Sequence, residues 1–422
     1  MPSRWKSSHA LSLGLALAAC GVPEPPGSTG GVDGGDTACG RGVVVLSTDY
    51  QSTNLSLMAP SGEVRSGSFI SSASRGVGLS APLSGDVALP SEAVSGAHLV
   101  LIDRYPASVL TWVELTTGRV RAQLNVGTGF AANPHDYVEV SEELAYVTRF
   151  EPNSSSGLQP FDAGSDLLIL DPRGPSITGR IDLSALIPVG LEGYHPRPDK
   201  LLRVGSQLYL LASAYSLDFR QSLPSRIARI DIATNTVQAV LELTGLHGCA
   251  GMDLSPNQTR LAVGCSGPFD SGAQVPVESG LALVRLTPEL ELERALFARD
   301  LVPDPTAYAL SFASDEALVF TTFGRFPTES DARPDRLYEL DLSTLEAVPL
   351  LESEGDPFTL RDVRCFTSTA PGEGCGACFV ADAGRGVVHR YPIGDGQPRL
   401  AAPTPIRVDT RIGLPPSALG GF

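Results

Sequence analysis

Three histidines stand where the inner strands of a repeated β unit are predicted to begin. His135 precedes Asp136, His195 precedes Pro196-Arg197, and His247 occupies the matching place in the next unit. Neutral imidazole is a common ligand of Zn²⁺ and other transition metals, and three of them can leave one coordination position open for chemistry. If the three side chains converge, the sequence predicts a metal centre or a metal-dependent enzyme. If they do not, each is a hydrogen-bonding residue at the start of a strand.

Arginine–aromatic pairs follow the predicted second strands on the same side of the molecule. They are Arg104-Tyr105, Arg149-Phe150 and Arg325-Phe326. Arginine and aromatic side chains carry much of the energy of protein interfaces, so this side is a candidate binding face. The alternative is that these residues cap strands and fill a channel mouth. The complete candidate set is His135, Asp136, Arg149, Phe150, His195, Arg197, His247, Arg104, Tyr105, Arg325 and Phe326.

Motifs of the common catalytic sites are absent from the sequence. It contains no GxSxG, no HExxH, no phosphate-binding glycine loop and no EF-hand spacing. We therefore assign no catalytic residue, expect no cofactor, and favour binding over catalysis. A propeller enzyme or a metal-binding protein, with the metal on His135, His195 and His247, is the alternative.

The elements that would position these residues are short β-strands. Residues 134–183 contain four apolar runs, each broken by turn residues: 137–140, 144–148, 167–170 and 177–181. Four such runs make one antiparallel unit of about fifty residues, which buries only part of its apolar surface and needs copies beside it.

The copies are present. The third run, with the polar residue and turn after it, recurs at residues 57, 113, 170, 230, 284, 340 and 390. This spacing predicts an all-β fold, a seven-bladed β-propeller of four-stranded antiparallel blades over residues 41–422. Blades three to six have long second-to-third connections, at 151–164, 213–225, 266–280 and 324–335.

Two local predictions complete the fold. The glutamate–leucine alternation within residues 288–301 has a period of two, which predicts a strand rather than a helix. The first unit lacks an innermost strand, while residues follow the seventh unit. We therefore expect the tail, around residues 412–419, to supply that strand and close the ring.

The chain resembles the YVTN-type seven-bladed propeller repeat proteins of bacteria. The resemblance is carried by Asn133-Pro134-His135-Asp136, Ala145-Tyr146-Val147-Thr148 and Leu168-Ile169-Leu170-Asp171, and covers about residues 41–422. It implies a binding or scaffolding protein, since most members have such roles, some of them lipid-anchored. A minority are enzymes, including lactonase-like members.

The N-terminal residues 1–19 are a predicted signal peptide. Arg4 and Lys6 precede an apolar run that is too short to span a bilayer. The run ends in Leu17-Ala18-Ala19-Cys20, which resembles a bacterial lipobox with Cys20 as the lipidated residue; an ordinary signal peptide is the alternative. Gly21 resembles the sorting signal of outer-membrane lipoproteins. Residues 20–40 are a predicted flexible tether.

Composition excludes some partners. Without residues 1–19 the chain has 29 basic and 47 acidic residues, a net charge of −18, which opposes nucleic acids and anionic membranes. No other apolar stretch is long enough to span a membrane. We therefore expect a protein of the Gram-negative cell envelope that contacts the outer membrane through its lipid alone. Its expected partner is another envelope protein, a peptide or a glycan.

Six cysteines remain beside Cys20, an even number that suits disulfides in an exported protein. Symmetry about the predicted turns pairs Cys249 with Cys265 and Cys365 with Cys378. A Cys39–Cys375 bridge would then join the tether to the last blade. The alternative for Cys375 and Cys378 is a redox or metal pair.

Overall fold

In a computed structural model, the described residues are 42–94, 96–268, 276–326, 332–367, 376–394 and 400–422. They form seven four-stranded antiparallel sheets and one two-stranded sheet. Each large sheet is one blade of a propeller, and its first strand faces the central channel. The predicted all-β fold is confirmed, and all seven repeat anchors lie in the third strands of their blades.

The first four blades follow one another along the chain. Blade one contains β1 (Val43–Thr48), β2 (Thr53–Met58) and β3 (Val64–Ser71) as its second to fourth strands, and its innermost strand is β30 (Pro416–Gly421) from the end of the chain. Blade two contains β4 (Val87–Ala88), β5 (His98–Asp103), β6 (Val109–Glu114) and β7 (Val120–Asn125). Blade three contains β8 (Pro134–Ser141), β9 (Leu144–Pro152), β10 (Gly164–Asp171) and β11 (Ser176–Ile181). Blade four contains β13 (Pro198–Val204), β14 (Gln207–Ala212), β16 (Arg226–Asp231) and β17 (Thr236–Glu242), and beside it β12 (Tyr194–His195) pairs with β15 (Tyr215–Ser216).

The remaining blades have the same order of strands. Blade five contains β18 (Cys249–Leu254), β19 (Arg260–Cys265), β20 (Gly280–Arg285) and β21 (Glu291–Phe297). Blade six contains β22 (Thr306–Ser314), β23 (Ala317–Thr322), β24 (Arg336–Asp341) and β25 (Ala347–Glu352). Blade seven contains β26 (Leu360–Phe366), β27 (Ala377–Asp382), β28 (Val387–Pro392) and β29 (Thr404–Ile406), and β30 (Pro416–Gly421) ends the chain.

The described helices are short. A 3₁₀ turn covers Ser184–Leu186, and α1 covers Ala298–Leu301. The strand expected within residues 288–301 is present as β21, but the prediction is wrong for the last four residues, which are helical. They carry the chain from the outer strand of blade five towards blade six, and the Ala298 amide donates to the Ser279 carbonyl. No described helix has the length and apolar character to cross a bilayer.

The C-terminal strand closes the ring, as predicted. β30 pairs antiparallel with β1, with Val45 opposite Leu419 and Val43 opposite Gly421. The Phe422 amide then donates to the Gly42 carbonyl at 3.1 Å. The strand lies a few residues later than the expected 412–419, because residues 407–415 form the connection from β29.

Acidic residues after the third strands explain the repeat seen in the sequence. Asp231 Oδ1 accepts the Thr234 amide at 2.8 Å, and Asp341 Oδ1 accepts the Ser343 amide at 2.8 Å. Asp171 bonds to the Arg173 amide in the same way. Each carboxylate thus caps the turn into the fourth strand, a local bonding pattern that favours Asp in turns.

The core lies between neighbouring blades. Trp112 of blade two and Tyr137 of blade three are fully buried, and their rings meet edge to face with centroids 6.0 Å apart. Both faces of a middle strand are therefore covered, which is why residues 167–170 of β10 are all apolar. Full burial of each large apolar side chain contributes roughly 1.5–3 kcal/mol.

Two of the predicted disulfides are present. Cys249 lies opposite Cys265 on β18 and β19, and Cys365 lies opposite Cys378 on β26 and β27, and each pair is bonded. Since Cys378 is bonded to Cys365, a redox or metal pair of Cys375 with Cys378 is not supported. Cys20 and the Cys39–Cys375 bridge lie outside the described residues.

Candidate functional site

One side of the propeller, which we call the loop-rich face, bears the second-to-third connections and the starts of the inner strands. Four of these connections are long: 153–163, 213–225, 266–279 and 323–335. The β12–β15 pair belongs to this face, with Tyr194 opposite Ser216. Long connections on a rigid scaffold are common carriers of function.

A cavity of about 1020 Å³ occupies the channel on this side; we call it the pit. Inner strands of all seven blades contribute to its wall, for example through Ala88, His135, Lys200, Met252 and Leu419. Its size is within the range of sites that take small organic molecules or short chain segments.

The floor of the pit is the segment 89–92, which leaves blade two after the very short β4 and crosses the channel. The Ser91 amide donates to Asp136 of blade three, and the Ser91 carbonyl accepts Arg364 of blade seven. The Glu92 carboxylate accepts the Arg203 amide of blade four. Burial raises the pKa of Glu92 to about 7. In the described part of the chain, this segment thus contacts three blades across the channel, and its Leu89 lines the pit.

The wall of the pit is basic although the chain is acidic. Its cationic residues are Arg104, Lys200, Arg325, Arg361 and Arg364, and its carboxylates are Asp199 and Asp362. The whole chain, by contrast, has a formal charge of −16. A concave wall of one sign concentrates ligands of the opposite sign, so the pit attracts anions.

His135 is fixed at the mouth of the pit. Its Nδ1 lies 3.2 Å from Asp199 Oδ1, and its ring stacks on Phe150 with centroids 4.3 Å apart. Burial raises the pKa of Asp199, but His135, Lys200 and Arg104 outweigh burial, and the pKa is lowered overall. The pair therefore combines an ionised carboxylate with an oriented imidazole.

Arg197 packs against Phe150, the ring on which His135 stacks. It is fully buried, its guanidinium lies 4.1 Å from the Phe219 ring centroid and 5.3 Å from that of Phe150, and it pairs with Glu151. Such cation–π contacts are strongest when the cation is desolvated. Arg197 thus holds the aromatic wall in place and is not itself exposed to a ligand.

A second aromatic cluster lies across the mouth. The Phe323 ring contacts Tyr308 and Phe358, with centroids 5.4 Å and 5.0 Å away, and Phe326 contacts Phe358 at 5.8 Å. We call the exposed aromatic residues around the mouth the aromatic rim; they are Tyr50, Tyr105, Tyr308, Phe326 and Phe358.

Six of the predicted face residues reach the pit or the rim. His135, Phe150, Arg104 and Arg325 line the pit, while Tyr105 and Phe326 are exposed beside it. Arg104 is paired with Asp86, with Nε 2.9 Å from Oδ1. The structure therefore brings these six residues together around one opening.

Asp136 and Arg149 differ from the prediction, because both are fully buried. Asp136 accepts the backbone amides of Ser91 and Leu201, each at 2.8 Å, and so joins three blades. Arg149 forms two bonds of 2.7 Å with the buried Asp166. With Arg197, these are supporting residues of the face and not contact residues.

His195 and His247 lie near the loop-rich face but do not line the pit. His195 pairs with Tyr215 in the small sheet, and His247 Nδ1 lies 2.8 Å from Ser222 Oγ. Burial lowers the pKa of both imidazoles. Within the described ranges, no three His, Cys, Asp or Glu side chains are placed to hold a metal.

Several pit residues were not among the sequence candidates: Asp199, Lys200, Tyr308, Arg361, Asp362 and Arg364. All of them lie on inner strands, which the sequence located only by their apolar pattern. One signal was available. The sequence contains just two lysines, Lys6 in the predicted signal peptide and Lys200.

Comparison with known proteins shows the fold alone. No protein-family model and no curated protein matches the sequence. A protein of Bacteroides fragilis with the provisional name 6-phosphogluconolactonase is similar in structure, with a TM-score of 0.56 at 10% identity over 90% of this chain and 97% of that one. A protein of Lactobacillus plantarum has a TM-score of 0.56 at 12% identity over 90% and 98% of the two chains.

Proposed function

We propose that the protein is an exported, lipid-anchored binding propeller that holds an acidic segment of another envelope protein on its loop-rich face. The observation that carries this proposal is the distribution of exposed apolar side chains. Twelve large hydrophobic side chains are exposed in the described ranges, and eleven of them lie in connections or strand starts of the loop-rich face. The exception is Val240 on β17. Isolated exposed apolar residues are ordinary, but their concentration on one face marks an interaction site.

The acidic character of the partner follows from charge. The aromatic rim surrounds a basic pit in a chain of net charge −16. A basic partner would be attracted elsewhere on this acidic surface, whereas an acidic segment is attracted to the mouth. Apolar side chains of that segment would pack on the rim, which supplies the aromatic anchors typical of interface centres.

The anchor and the repeat family are part of the same proposal. Arg4, Lys6 and the run ending at Cys20 support export and lipidation, and residues 133–136 and 145–148 support YVTN-type blades. We expect Cys20→Ala to move the protein from the detergent-soluble membrane fraction to the aqueous one and to remove the diacylglycerol mass from its N-terminal peptide. A protein that stays in the membrane fraction without that lipid would contradict the anchor.

Site-specific crosslinking tests the binding face. A photoreactive phenylalanine analogue is placed at Phe326 or Tyr50 of the full chain in its own cells. The matched control is Val240, since its exposure of 41% is close to the 43% of Phe326 but it lies on an outer strand. We expect both rim positions to give an adduct of one mass that a protease digests, and Val240 to give none. An adduct that resists protease but yields to a glycosidase would identify a glycan. Equal labelling at all three positions would refute the proposed face.

Catalysis is the second candidate, and the His135–Asp199 pair is the observation that favours it. The name of the Bacteroides relative suggests hydrolysis of a sugar lactone as the reaction to try. An imidazole held by a carboxylate could accept a proton from an attacking water. If this candidate is right, purified protein accelerates lactone opening and His135→Ala abolishes the acceleration. If binding is the function, the rate equals that of buffer alone.

A further inference from the structure

The use of lysine in this chain points to the pit. Lysine and arginine together number 31, and only Lys6 and Lys200 are lysines. Every other cationic position, including those of the outer surface, has arginine. The single lysine outside the predicted signal peptide lies on β13 and lines the pit. A lysine ammonium is a compact charge on a flexible side chain, so it can bond to an anion in several positions. The guanidinium of arginine, by contrast, bonds to an anion in one planar geometry.

Three cations of the pit lack a carboxylate within salt-bridge distance in the described part of the chain: Lys200, Arg361 and Arg364. Arg361 donates to the Thr48 carbonyl at 3.3 Å and lies over the Tyr50 ring at 5.2 Å. Arg364 donates to the Ser91 carbonyl at 3.4 Å. The Nε of each arginine is buried without a hydrogen-bond partner. Arg104, by contrast, is satisfied by Asp86.

The neighbouring carboxylates have hydrogen-bond partners of their own. Asp362 accepts the Leu419 amide at 2.8 Å and the Val363 amide at 2.9 Å. Asp253 accepts the Phe312 amide and the Ser311 hydroxyl, each at 2.8 Å, and Asp199 Oδ1 lies 3.2 Å from His135 Nδ1. None of these partners is Lys200, Arg361 or Arg364. Lys200, Arg361 and Arg364 thus line the pit as cations without a carboxylate partner at salt-bridge distance among the described residues, and an anionic ligand can supply charge-assisted hydrogen bonds to them.

The positions of Lys200, Arg361 and Arg364 in the ring indicate what kind of ligand can bond to all three. Lys200 belongs to blade four, and Arg361 and Arg364 belong to blade seven, three places further round a ring of seven. A molecule with two acidic groups on one carbon framework can bond to both sides of the channel, and a cavity of about 1020 Å³ admits such a molecule.

We infer that the pit binds an organic anion with two or more carboxylate or phosphate groups, held by Lys200 on one side and by Arg361 and Arg364 on the other. This inference goes beyond the proposed function, because it concerns the pit and not the rim, and it holds whether or not a partner covers the mouth. The acidic groups could belong to a free metabolite or to side chains of a bound protein segment; the chemistry is the same.

Chemical acetylation of Lys200 can be used to measure ligand binding in the pit. Full-length protein in mild detergent is treated with an acetylating ester, and peptide mapping follows the acetyl group on Lys200. We expect saturating citrate to slow this acetylation by about tenfold or more, since bound ligand blocks the amine. Protection by a glutamate-rich peptide but not by citrate would assign the site to a protein segment. Undiminished acetylation in both cases would overturn the inference.

Variants separate binding from folding. Lys200→Met should abolish the rise in melting temperature that citrate causes, and Lys200→Arg, which keeps the charge, should retain most of it. Arg220→Met removes the same charge from the loop-rich face at a side chain that is 79% exposed, so it should retain the full rise. An equal loss in Lys200→Met and Arg220→Met would contradict a site in the pit. The crosslinks at Phe326 are expected in all three variants, so failure of the pit does not imply failure of the face.

Discussion

His135 Nδ1 on blade three and Asp199 Oδ1 on blade four lie 3.2 Å apart across a blade boundary. The geometry of the pit therefore depends on how two neighbouring blades pack. Asp136 and Arg197, which lie beside these two residues in the chain, are buried in that boundary. In each of these two short segments, a residue that lines the pit (His135 or Asp199) is close in sequence to a residue buried between the blades (Asp136 or Arg197).

Arg149 is expected to contribute to stability and not to binding. Arg149→Met removes two bonds of 2.7 Å from the fully buried Asp166 and leaves it, among the described residues, only Arg180 at 3.0 Å, so we expect a loss of about 3 kcal/mol, the lower end for breaking a buried pair. Urea denaturation measures this loss. Arg104→Met is the matched control, because its pair with Asp86 is partly exposed and should contribute only about 0–1 kcal/mol. Equal losses would show that Arg149 does not anchor the fold through its buried pair.

Glu92 should make stability depend on pH. Its pKa is about 7 in the folded protein because of burial, against 4.5 without that burial. A raised carboxyl pKa stabilises the fold fully at low pH, and the contribution is lost as pH rises through about 7. Glu92→Gln should therefore match the wild type near pH 4.5 and be more stable at pH 8, by roughly 1–3 kcal/mol. Melting curves at both pH values test this, and a constant difference would contradict it.

The closing strand should be indispensable. Truncation after Asp409 removes β30 and leaves Val43, Val45 and Leu46 of β1 without their partners. Loss of the buried Leu419 and Phe422 alone should lower the free energy of unfolding by about 4–10 kcal/mol. Phe422→Ala, which keeps the strand, should lower it by about 3 kcal/mol. A truncated protein with an unchanged melting temperature would show that β30 does not close the ring.

Non-reducing peptide mapping tests all three disulfides together. We expect Cys249–Cys265, Cys365–Cys378 and, as the remaining prediction, Cys39–Cys375. Changing Cys249 and Cys265 to alanine should destabilise the protein by about 3 kcal/mol, since the bridge closes a loop of 16 residues. A Cys249–Cys375 peptide would refute the pairing.

The fold was predictable because its signals are local. In three of the seven blades an aspartate at the end of the third strand bonds to its own turn, so Asp171, Asp231 and Asp341 mark the period without any distant contact. The paired cysteines were predictable for a similar reason, since each pair flanks one hairpin.

The site was predictable only in part. Sequence position places Arg149 and Phe150 together at the end of β9, but a connection folded back over the strand buries one and leaves the other in the wall of the pit. Arg149 is held in its buried position by bonds to the Asp166 carboxylate and the Phe161 carbonyl, which both lie further along the chain. The segment 89–92 depends on contacts with blades three, four and seven, which no local pattern encodes.

The segment that contains Ser91 and Glu92 affects the order in which a ligand and a partner protein can bind. Because this segment crosses the channel, we expect a ligand of the pit to arrive and depart through the aromatic rim. A protein segment bound to the rim would then block this route. The ligand would have to bind before the partner, and it would dissociate only after the partner is released. The two occupants would follow a compulsory sequence even if they never touch.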